Sequence, residues 1–336
     1  MRTRKMLPVL ALSALLALTA CTSDGAPQGG DDGDEPTLRV AVILPGETTD
    51  KGFNKTGEQT VELLEKEFGA EATLTESVNP AQQVDVYRQY AQQGYDLVVG
   101  WGGQFSDGAV AAAEEFPDTK FLVVSSAVEN GSNLASYDTA LEDWHFVGGY
   151  LMGRLSKTGV VGQVSGQCFA STASGQNGTR DGAKYANPDI EWLATYTGDF
   201  EDPTKAQQAA QAMIDQGADM LATNLNQGVY GVVQAAKASP GVGVVTEWLD
   251  NSADAPGVIL SGVDKSYARF VGVKVQQILD GTWKGEHERF FLPEDWGPAI
   301  FKTADIPDDV YQDALDVQAK IASGELDVVR DETCPG

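Results

Sequence analysis

The strongest constraint on the fold of this 336-residue chain is a repeated alternation of short apolar runs with amphipathic segments. The apolar run at residues 38–44 precedes a helical pattern at 54–68, and further apolar runs follow at 96–100 and 121–125. The rhythm restarts at residue 159 and continues to residue 246. Continuous apolar runs are typical of strands that are buried on both faces of a parallel sheet. We therefore predict an α/β fold with two doubly wound parallel-sheet lobes.

Two segments of the chain resemble each other and suggest that the lobes are related. The sequence GYDLVVG at 94–100 and the sequence QGADMLAT at 216–223 each follow an amphipathic helix and combine a glycine turn, an aspartate and an apolar strand. The alternative is that both segments use the turn chemistry common to α/β proteins.

The N-terminus predicts export and lipid attachment. Basic residues at positions 2, 4 and 5 precede an apolar run at 7–18, which is the pattern of a signal peptide covering residues 1–20. The run is too short to span a bilayer, which requires roughly 20 residues. Cys21 follows Leu18, Thr19 and Ala20, as in a bacterial lipobox, and we expect its thiol to carry lipid on the extracytoplasmic face of the cell membrane. The alternative is an ordinary secreted protein with an incidental cysteine.

Residues 21–37 are predicted to be a disordered tether, because they are rich in glycine, proline and aspartate. The whole chain has a formal net charge of −26. Such an acidic protein is not expected to bind nucleic acid, which requires clustered lysine and arginine, or to lie flat on anionic lipid.

Sequence motifs for catalysis or cofactor binding are missing. The chain has no P-loop, GxSxG elbow or HExxH helix, and its two histidines form no cluster with cysteines. We therefore expect no cofactor, no metal and no enzymatic activity, although a pair of glycosidase carboxylates remains an alternative. Cys168 and Cys334 form either a disulfide or two unpaired thiols.

Ligands of open α/β sheets bind beyond the carboxyl ends of the strands, so two facing lobes place a site in the cleft between them. Aromatic rings and polar side chains suited to a small planar, hydroxylated ligand follow several predicted strands. These candidates are Asp50, Phe53, Asn54, Phe200, Asn226, Trp248 and Asp250. For Phe53 and Phe200 the alternative is a role as core anchors at helix starts.

Several longer stretches carry a family resemblance. They are DKGFN at 50–54, YANPDIE at 185–191, YTGDFEDPTKAQQAAQAMIDQGAD at 196–219 and ILDGTWKGE at 278–286. On these stretches the chain resembles the basic membrane protein family of substrate-binding lipoproteins for ABC importers, which includes purine-nucleoside receptors. The resemblance extends from residue 38 to about residue 291. It implies a type I periplasmic-binding-protein fold, with two lobes joined by a hinge of three strands.

The resemblance also implies roles for individual residues. In nucleoside-binding members two phenylalanines sandwich the purine, and they match Phe53 and Phe200 in this chain. Asn54 matches the family asparagine that follows the first phenylalanine, and Lys265 matches a lysine that contacts the sugar. The alternative for Lys265 is a surface lysine at a helix start.

The chain departs from the family at the positions that hold ribose hydroxyls. The family's aspartates fall here on Leu44, Ser125 and Trp248, none of which carries a carboxylate. The candidates to replace them from neighbouring positions are Glu47, Glu247 and Asp250. A site without these carboxylates is expected to bind a different ligand, and Trp248 adds a third flat surface.

These observations predict lobe 1 at residues 38–137, with a helix at 265–281 returning to it, and lobe 2 at 138–262, with 285–336 returning to it. The predicted function is that of a monomeric, lipid-anchored receptor that binds a small ligand and delivers it to an ABC permease. The alternatives are a sensory receptor of the same fold, which signals to a membrane partner, or an exported nucleosidase or glycosidase.

Overall fold

The computed structural model describes residues 37–50, 52–265 and 267–334. The predicted signal peptide, Cys21 and all but the last residue of the predicted tether lie outside the described residues, as do Lys51 and Ser266. Residues Thr37–Gly336 form one compact unit. No helix among the described residues combines the length and the apolar character that crossing a membrane requires.

Strands and helices alternate along most of the chain. The strands are β1 (Arg39–Ile43), β2 (Glu71–Thr75), β3 (Leu97–Gly100), β4 (Lys120–Val124), β5 (Leu134–Thr139), β6 (Val160–Ser165), β7 (Glu191–Tyr196), β8 (Met220–Asn224), β9 (Gly243–Glu247), β10 (Ile259–Val263) and β11 (His287–Phe290). The helices are α1 (Phe53–Phe68), α2 (Gln83–Gln92), α3 (Ser106–Glu115), α4 (Leu141–Leu155), α5 (Ala170–Ala186), α6 (Pro203–Asp215), α7 (Val229–Ala238), α8 (Tyr267–Leu279) and α9 (Asp308–Ser323).

The strands form two sheets in which all the described strand pairs are parallel. The first sheet has the order β11-β5-β4-β3-β1-β2, and the second has the order β10-β9-β8-β6-β7. Without β11 the two orders are equivalent, so β3 and β8 occupy matching places. These strands carry the two similar segments of the sequence, and the glycine before each, Gly94 and Gly217, has a positive φ. The topology agrees with related lobes.

The apolar runs arise because each central strand is covered on both faces. In β1, Val40 and Val42 contribute to one core cluster, whereas Ala41 and Ile43 contribute to another. Successive side chains of a strand point to opposite faces, so a strand covered on both sides carries apolar residues at every position. The predicted α/β class is therefore confirmed by the alternation of helices with two buried parallel sheets.

The chain passes between the lobes three times. The crossings follow β5, β10 and β11, and they lead to α4, α8 and the segment before α9, respectively. Helix α8 packs on α1 of the first lobe, whereas α9 packs on α4 beside the second sheet.

The predicted assignment of residues 285–336 to the second lobe is wrong for one strand. Strand β11 is the edge of the first sheet, where His287 pairs with Ser136 and Phe290 pairs with Thr139. Arg289 of this strand forms an ion pair with Asp138 of β5 at 2.6 Å. The strand is short and mostly polar because it lies at an edge, so it gives no apolar signal.

Close backbone contact between α4 and α5 depends on glycine. A Cβ atom at Gly182 would lie 2.0 Å from the carbonyl oxygen of Phe146, and one at Gly149 would lie 2.0 Å from the carbonyl oxygen of Thr179. Both separations are much shorter than a van der Waals contact. The two helices therefore approach each other at positions where no side chain fits.

We predict that Gly182→Ala lowers the free energy of unfolding by about 1–3 kcal/mol, because the added methyl group forces the helices apart. The control is Lys184→Ala on the exposed face of the same helix, which is expected to change stability by no more than about 0.5 kcal/mol. Urea unfolding of residues 37–336 measures both values. Equal stability of the two variants would contradict the close packing of α4 on α5.

Candidate ligand-binding site

The candidate site lies at the carboxyl ends of the parallel strands. In the first lobe β1 lies between β3 and β2, and in the second lobe β6 lies between β8 and β7. The chain leads from β1 to β2 on one side and then to β3 on the other side of β1, and β6, β7 and β8 follow the same pattern. The direction of the connections therefore reverses beside β1 and beside β6, and each of these places is a topological switch point. Ligands of open α/β sheets bind in the crevice beyond the strand ends at such points.

Four aromatic rings meet where the lobes contact each other, and we call them the aromatic cluster: Phe53, Trp101, Trp248 and Tyr267. Phe53 begins α1 of the first lobe, and its ring centroid lies 5.2 Å from that of Trp248, which follows β9 of the second. The Phe53 centroid lies 6.0 Å from Trp101 and 6.1 Å from Tyr267. The indole N–H of Trp101 donates to the carbonyl oxygen of Phe53 at 2.8 Å. The cluster thus joins ring surfaces from both lobes.

Hydrogen bonds within the segment before α1 fix the position of Phe53. The Asp50 carboxylate accepts from the backbone N–H of Gly52 at 2.9 Å, and from the backbone N–H of Asn54 at 2.9 Å and its side-chain amide at 2.8 Å. The Asn54 side-chain oxygen accepts from the backbone N–H of Gly46 at 3.1 Å. Because Asp50 and Asn54 are buried and bond to each other, they fix the start of α1 in the structure.

A buried charged network lies directly behind the cluster. Glu247 ends β9, and its carboxylate pairs with Lys265, which follows β10. The same carboxylate lies 2.6 Å from Nε2 of His145 and accepts from the Asn224 amide at 3.3 Å. The Lys265 Nζ atom lies 3.8 Å from the centroid of the Trp248 ring, which is a cation–π contact. Lys265 therefore has buried partners and is not the surface lysine of the alternative interpretation.

Burial and charge together set the protonation of this network. Burial lowers the pKa of His145, and nearby Lys265 lowers it further, although Glu247 opposes the shift. For Glu247 burial favours the neutral acid, but Lys265 outweighs it through its charge and hydrogen bond, and the contact with His145 acts in the same direction, so the pKa of Glu247 is lowered. At neutral pH the carboxylate form of Glu247 and the neutral form of His145 are therefore favoured.

Trp248 and Ser125 occupy equivalent places, one residue after β9 and one residue after β4. Both have a positive φ, of 80° for Trp248 and 56° for Ser125. A bulky residue in this region is uncommon, and such strain is concentrated at functional sites. The Ser125 hydroxyl lies 3.4 Å from the Tyr267 hydroxyl. Leu44, the third residue that stands where the family has an aspartate, is fully buried in the core.

Phe200 contributes to a separate surface of the second lobe. Its ring stacks on that of Phe169, with centroids 6.3 Å apart and planes inclined by 24°. Its carbonyl oxygen accepts from the backbone N–H groups of Asn226 and Gly228, both at 3.0 Å. The Asn226 amide donates to Glu201 at 2.6 Å. We call Phe169 and Phe200 the aromatic wall.

The three candidate replacement carboxylates have different surroundings. Glu247 is buried and already holds Lys265. Asp250 is exposed and accepts from the backbone N–H and hydroxyl of Ser252, so it closes a turn. Glu47 is exposed in the loop after β1. Of the three, Glu47 is the carboxylate that lies in the loop leading to Phe53.

The structure thus brings together Phe53, Trp248 and Lys265 from the predicted set, and Asp50 and Asn54 support Phe53. Phe200 and Asn226 lie at the aromatic wall, and Asp250 lies in an exposed turn. The Glu247–His145 contact and Phe169 were not predicted from the sequence, although an aromatic residue soon after β6 is a usable signal for Phe169. Within the described parts of the chain, no three histidine, cysteine, aspartate or glutamate residues are grouped to hold a metal ion.

Two parallel-sheet lobes, three crossings and aromatic residues at the strand ends define the class of type I periplasmic solute-binding proteins. Residues 37–331 match the Bmp family, described as ABC transporter substrate-binding protein PnrA-like. The chain belongs to this family, and the predicted resemblance is confirmed. Members of the family are substrate-binding proteins of ABC transporters, which act outside the cytoplasm.

Individual relatives agree with this assignment. A purine-binding protein of Brucella abortus is 27% identical over 315 residues, covering 92% of this chain and 88% of the relative. A protein of Haloferax volcanii named for glucose binding is 24% identical over 318 residues, covering 89% and 79%. The solved structure of an ABC transporter solute-binding protein from Conexibacter woesei has a TM-score of 0.72 and 29% identity, covering 88% of this chain and 99% of the other.

We predict that the free energy of unfolding falls between pH 7.5 and pH 5.5 because of His145. Its pKa is depressed in the folded state, so the unfolded chain binds the proton first and stability decreases as the pH falls below about 6.5. The slope contributed by one such proton approaches about 1.4 kcal/mol per pH unit.

The measurement is urea unfolding at several pH values for the wild type, His145→Gln and the control Tyr185→Ala on the surface of α5. The His145 variant is expected to lose most of the slope, and the control variant is expected to keep it. An unchanged slope in the His145 variant would show that another group is responsible.

Proposed function

We propose that this protein is the lipid-anchored receptor of an ABC importer, which binds a purine-containing ligand between its lobes and delivers it to a permease. The observation that carries this proposal is the contact between Phe53 and Trp248, because it places ring surfaces of both lobes at the carboxyl ends of the strands. The family assignment and the purine-binding relative support the same role.

Ligand binding in this proposal works by lobe closure. Three crossings join the lobes, and small changes of backbone angle there permit a hinge motion. A ligand that contacts both lobes has a higher affinity for the closed form and shifts the population towards it. The permease then recognises the closed, loaded form, so no covalent chemistry is required.

The aromatic cluster favours a flat ligand. Phe53 stacks a ring, and Trp248 provides a second apolar surface with an indole N–H that has no partner among the described residues. A ligand acceptor at this position satisfies that buried donor. Phe200 of the aromatic wall contacts the ligand from the second lobe after closure, and Asn226 supports it.

The polar part of the ligand meets a site with few free carboxylates. Lys265 and Glu247 neutralise each other, and Asp250 closes a turn. Glu47 is therefore the proposed acceptor for ligand hydroxyl groups, with Asp50 and Asn54 holding its loop in place. Fewer acceptors favour a purine base or a purine nucleoside such as adenosine over a free sugar, which depends on hydroxyl contacts alone.

Attachment to the membrane rests on the N-terminal sequence. Cys21 follows a signal peptide pattern, and lipid on its thiol retains the receptor, as a monomer, at the outer face of the cell membrane. The acidic, flexible linker predicted after it gives the folded body freedom to reach the permease.

We predict that Phe53→Ala weakens adenosine binding by about 1–3 kcal/mol, because an aromatic ring stacked on a base contributes that much. Calorimetric titration of residues 37–336 measures the effect, and recovery of intact adenosine afterwards tests for turnover. The control is Tyr185→Ala, which removes a half-exposed ring from the far end of α5. Equal adenosine affinities of the two variants would show that the aromatic cluster is not part of the binding site. Recovery of hydrolysed adenosine would instead favour the alternative that the protein is an enzyme.

We predict that Cys21→Ser moves the protein from the membrane fraction to the soluble fraction of the expressing bacterium. The reason is that a serine hydroxyl cannot accept the thioether-linked lipid that anchors the chain. Immunoblotting of the separated fractions measures the distribution, with Cys168→Ser as the control that keeps Cys21. Continued membrane retention of the Cys21 variant would contradict the anchor.

A further inference from the structure

The C-terminal tail, residues 328–334, runs from the region after α9 to the start of α5. Val328 is buried at its beginning, and Cys334 forms a disulfide with Cys168 at its end, with 6.1 Å between the two Cα atoms. The two cysteines are 166 residues apart in sequence, so this bond ties the end of the chain to the loop that follows β6.

The tail is also fixed along α5. The side-chain amide of Asn177 donates to the carbonyl oxygen of Asp331 at 2.8 Å and to that of Thr333 at 3.2 Å. The Arg180 guanidinium lies 3.4 Å from the Asp331 carboxylate. The tail therefore follows the surface of α5 towards the carboxyl end of β6.

The other end of the tail reaches the first crossing between the lobes. The Arg330 guanidinium lies 3.6 Å from the carboxylate of Asp138 in β5. The same carboxylate pairs with Arg289 of β11 at 2.6 Å, and Arg289 also pairs with Glu142 of α4 at 2.6 Å. The tail thus joins an ion network that spans two of the three crossings.

The disulfide is adjacent to the aromatic wall. Cys168 directly precedes Phe169, which stacks on Phe200 and is 52% exposed. The wall lies at the end of β6, because a Cβ atom at Gly166 would lie 2.2 Å from the Phe200 ring. Phe169 is the residue before α5, where its backbone N–H donates to the Thr172 hydroxyl at 2.8 Å and its carbonyl oxygen accepts from the Ala173 N–H at 2.8 Å. The disulfide adds a covalent link at the preceding residue.

We propose that the C-terminal tail is a strap that positions the aromatic wall for ligand binding and connects it to the crossings. This inference rests on the proposed function, since it assigns Phe169 and Phe200 to the ligand. If the two rings are ordered before the ligand binds, binding does not carry the entropic cost of ordering them, and the affinity is higher. Cys168, Cys334 and Asn177 are positioning residues in this proposal, and they do not themselves contact the ligand.

The primary test is amide hydrogen exchange of the mature chain in the absence of any ligand. In the double variant Cys168→Ser/Cys334→Ser, the segments 166–172 and 198–202 are expected to exchange about tenfold faster, which corresponds to about 1.4 kcal/mol of local opening free energy. Exchange that rises only in 328–334 would overturn the proposal, because the tail would then be fixed without holding the wall.

Two further measurements separate positioning from a general loss of stability. The variant Asn177→Ala keeps the disulfide but removes the two hydrogen bonds from the Asn177 amide to the tail, and it is expected to show a smaller increase in the same segments. If the double variant does not fold, dithiothreitol added to the folded wild type replaces it. Faster exchange across both lobes in either experiment would mean that the bond stabilises the whole fold and not the wall, which contradicts the strap.

Adenosine affinity provides the functional readout. Calorimetric titration is expected to give about tenfold weaker binding for the double variant, and dithiothreitol is expected to weaken the wild type but not the variant. Equal affinities would contradict the role of the strap in binding. If the intact protein does not bind adenosine, the proposed ligand class fails, whereas hydrogen exchange still decides whether the tail holds the wall.

Discussion

The candidate site depends on the buried ion pair between Lys265 and Glu247. Removing two charges from water costs several kcal/mol per ion, and the cost is offset only when geometry and extra hydrogen bonds are favourable. Here Glu247 ends one strand, Lys265 follows the next, and His145 and Asn224 contact the same carboxylate. The pair therefore fixes the crossing into α8 against the end of β9. The position of the Trp248 ring under the Lys265 ammonium group follows from this arrangement.

The two lobes share a strand order but use the equivalent position differently. After β4 the residue with positive φ is Ser125, and after β9 it is Trp248. The first lobe thus places a small hydroxyl beside Tyr267, whereas the second lobe places an indole ring against Phe53. Because the two lobes carry different residues at this equivalent position, Ser125 in one and Trp248 in the other, the site between them is asymmetric. This asymmetry suits a ligand with one flat apolar part and one polar part.

The two sheets are predictable from the sequence, whereas the buried charged network around Glu247 is not. Strands such as β1 are recognisable because burial on both faces requires an apolar residue at every position. Strand β11 is not recognisable, since its residues lie at an edge and pair through the charges of Arg289 and Asp138. Phe53 and Trp248 follow strand ends and are predictable as candidates, whereas Lys265 is predicted only by the family resemblance. The contact of His145 with Glu247 joins residues that are 102 positions apart in the sequence, and only the fold brings them together.

The central claim is that a purine ring binds between the lobes against Phe53. The most direct measurement is a crystal structure of residues 37–336 grown with adenosine. We expect the base to lie against the Phe53 ring, to contact Trp248 and to be enclosed by residues of both lobes. A base bound at another surface, with no ligand beside Phe53, would contradict this binding mode even if the protein binds adenosine.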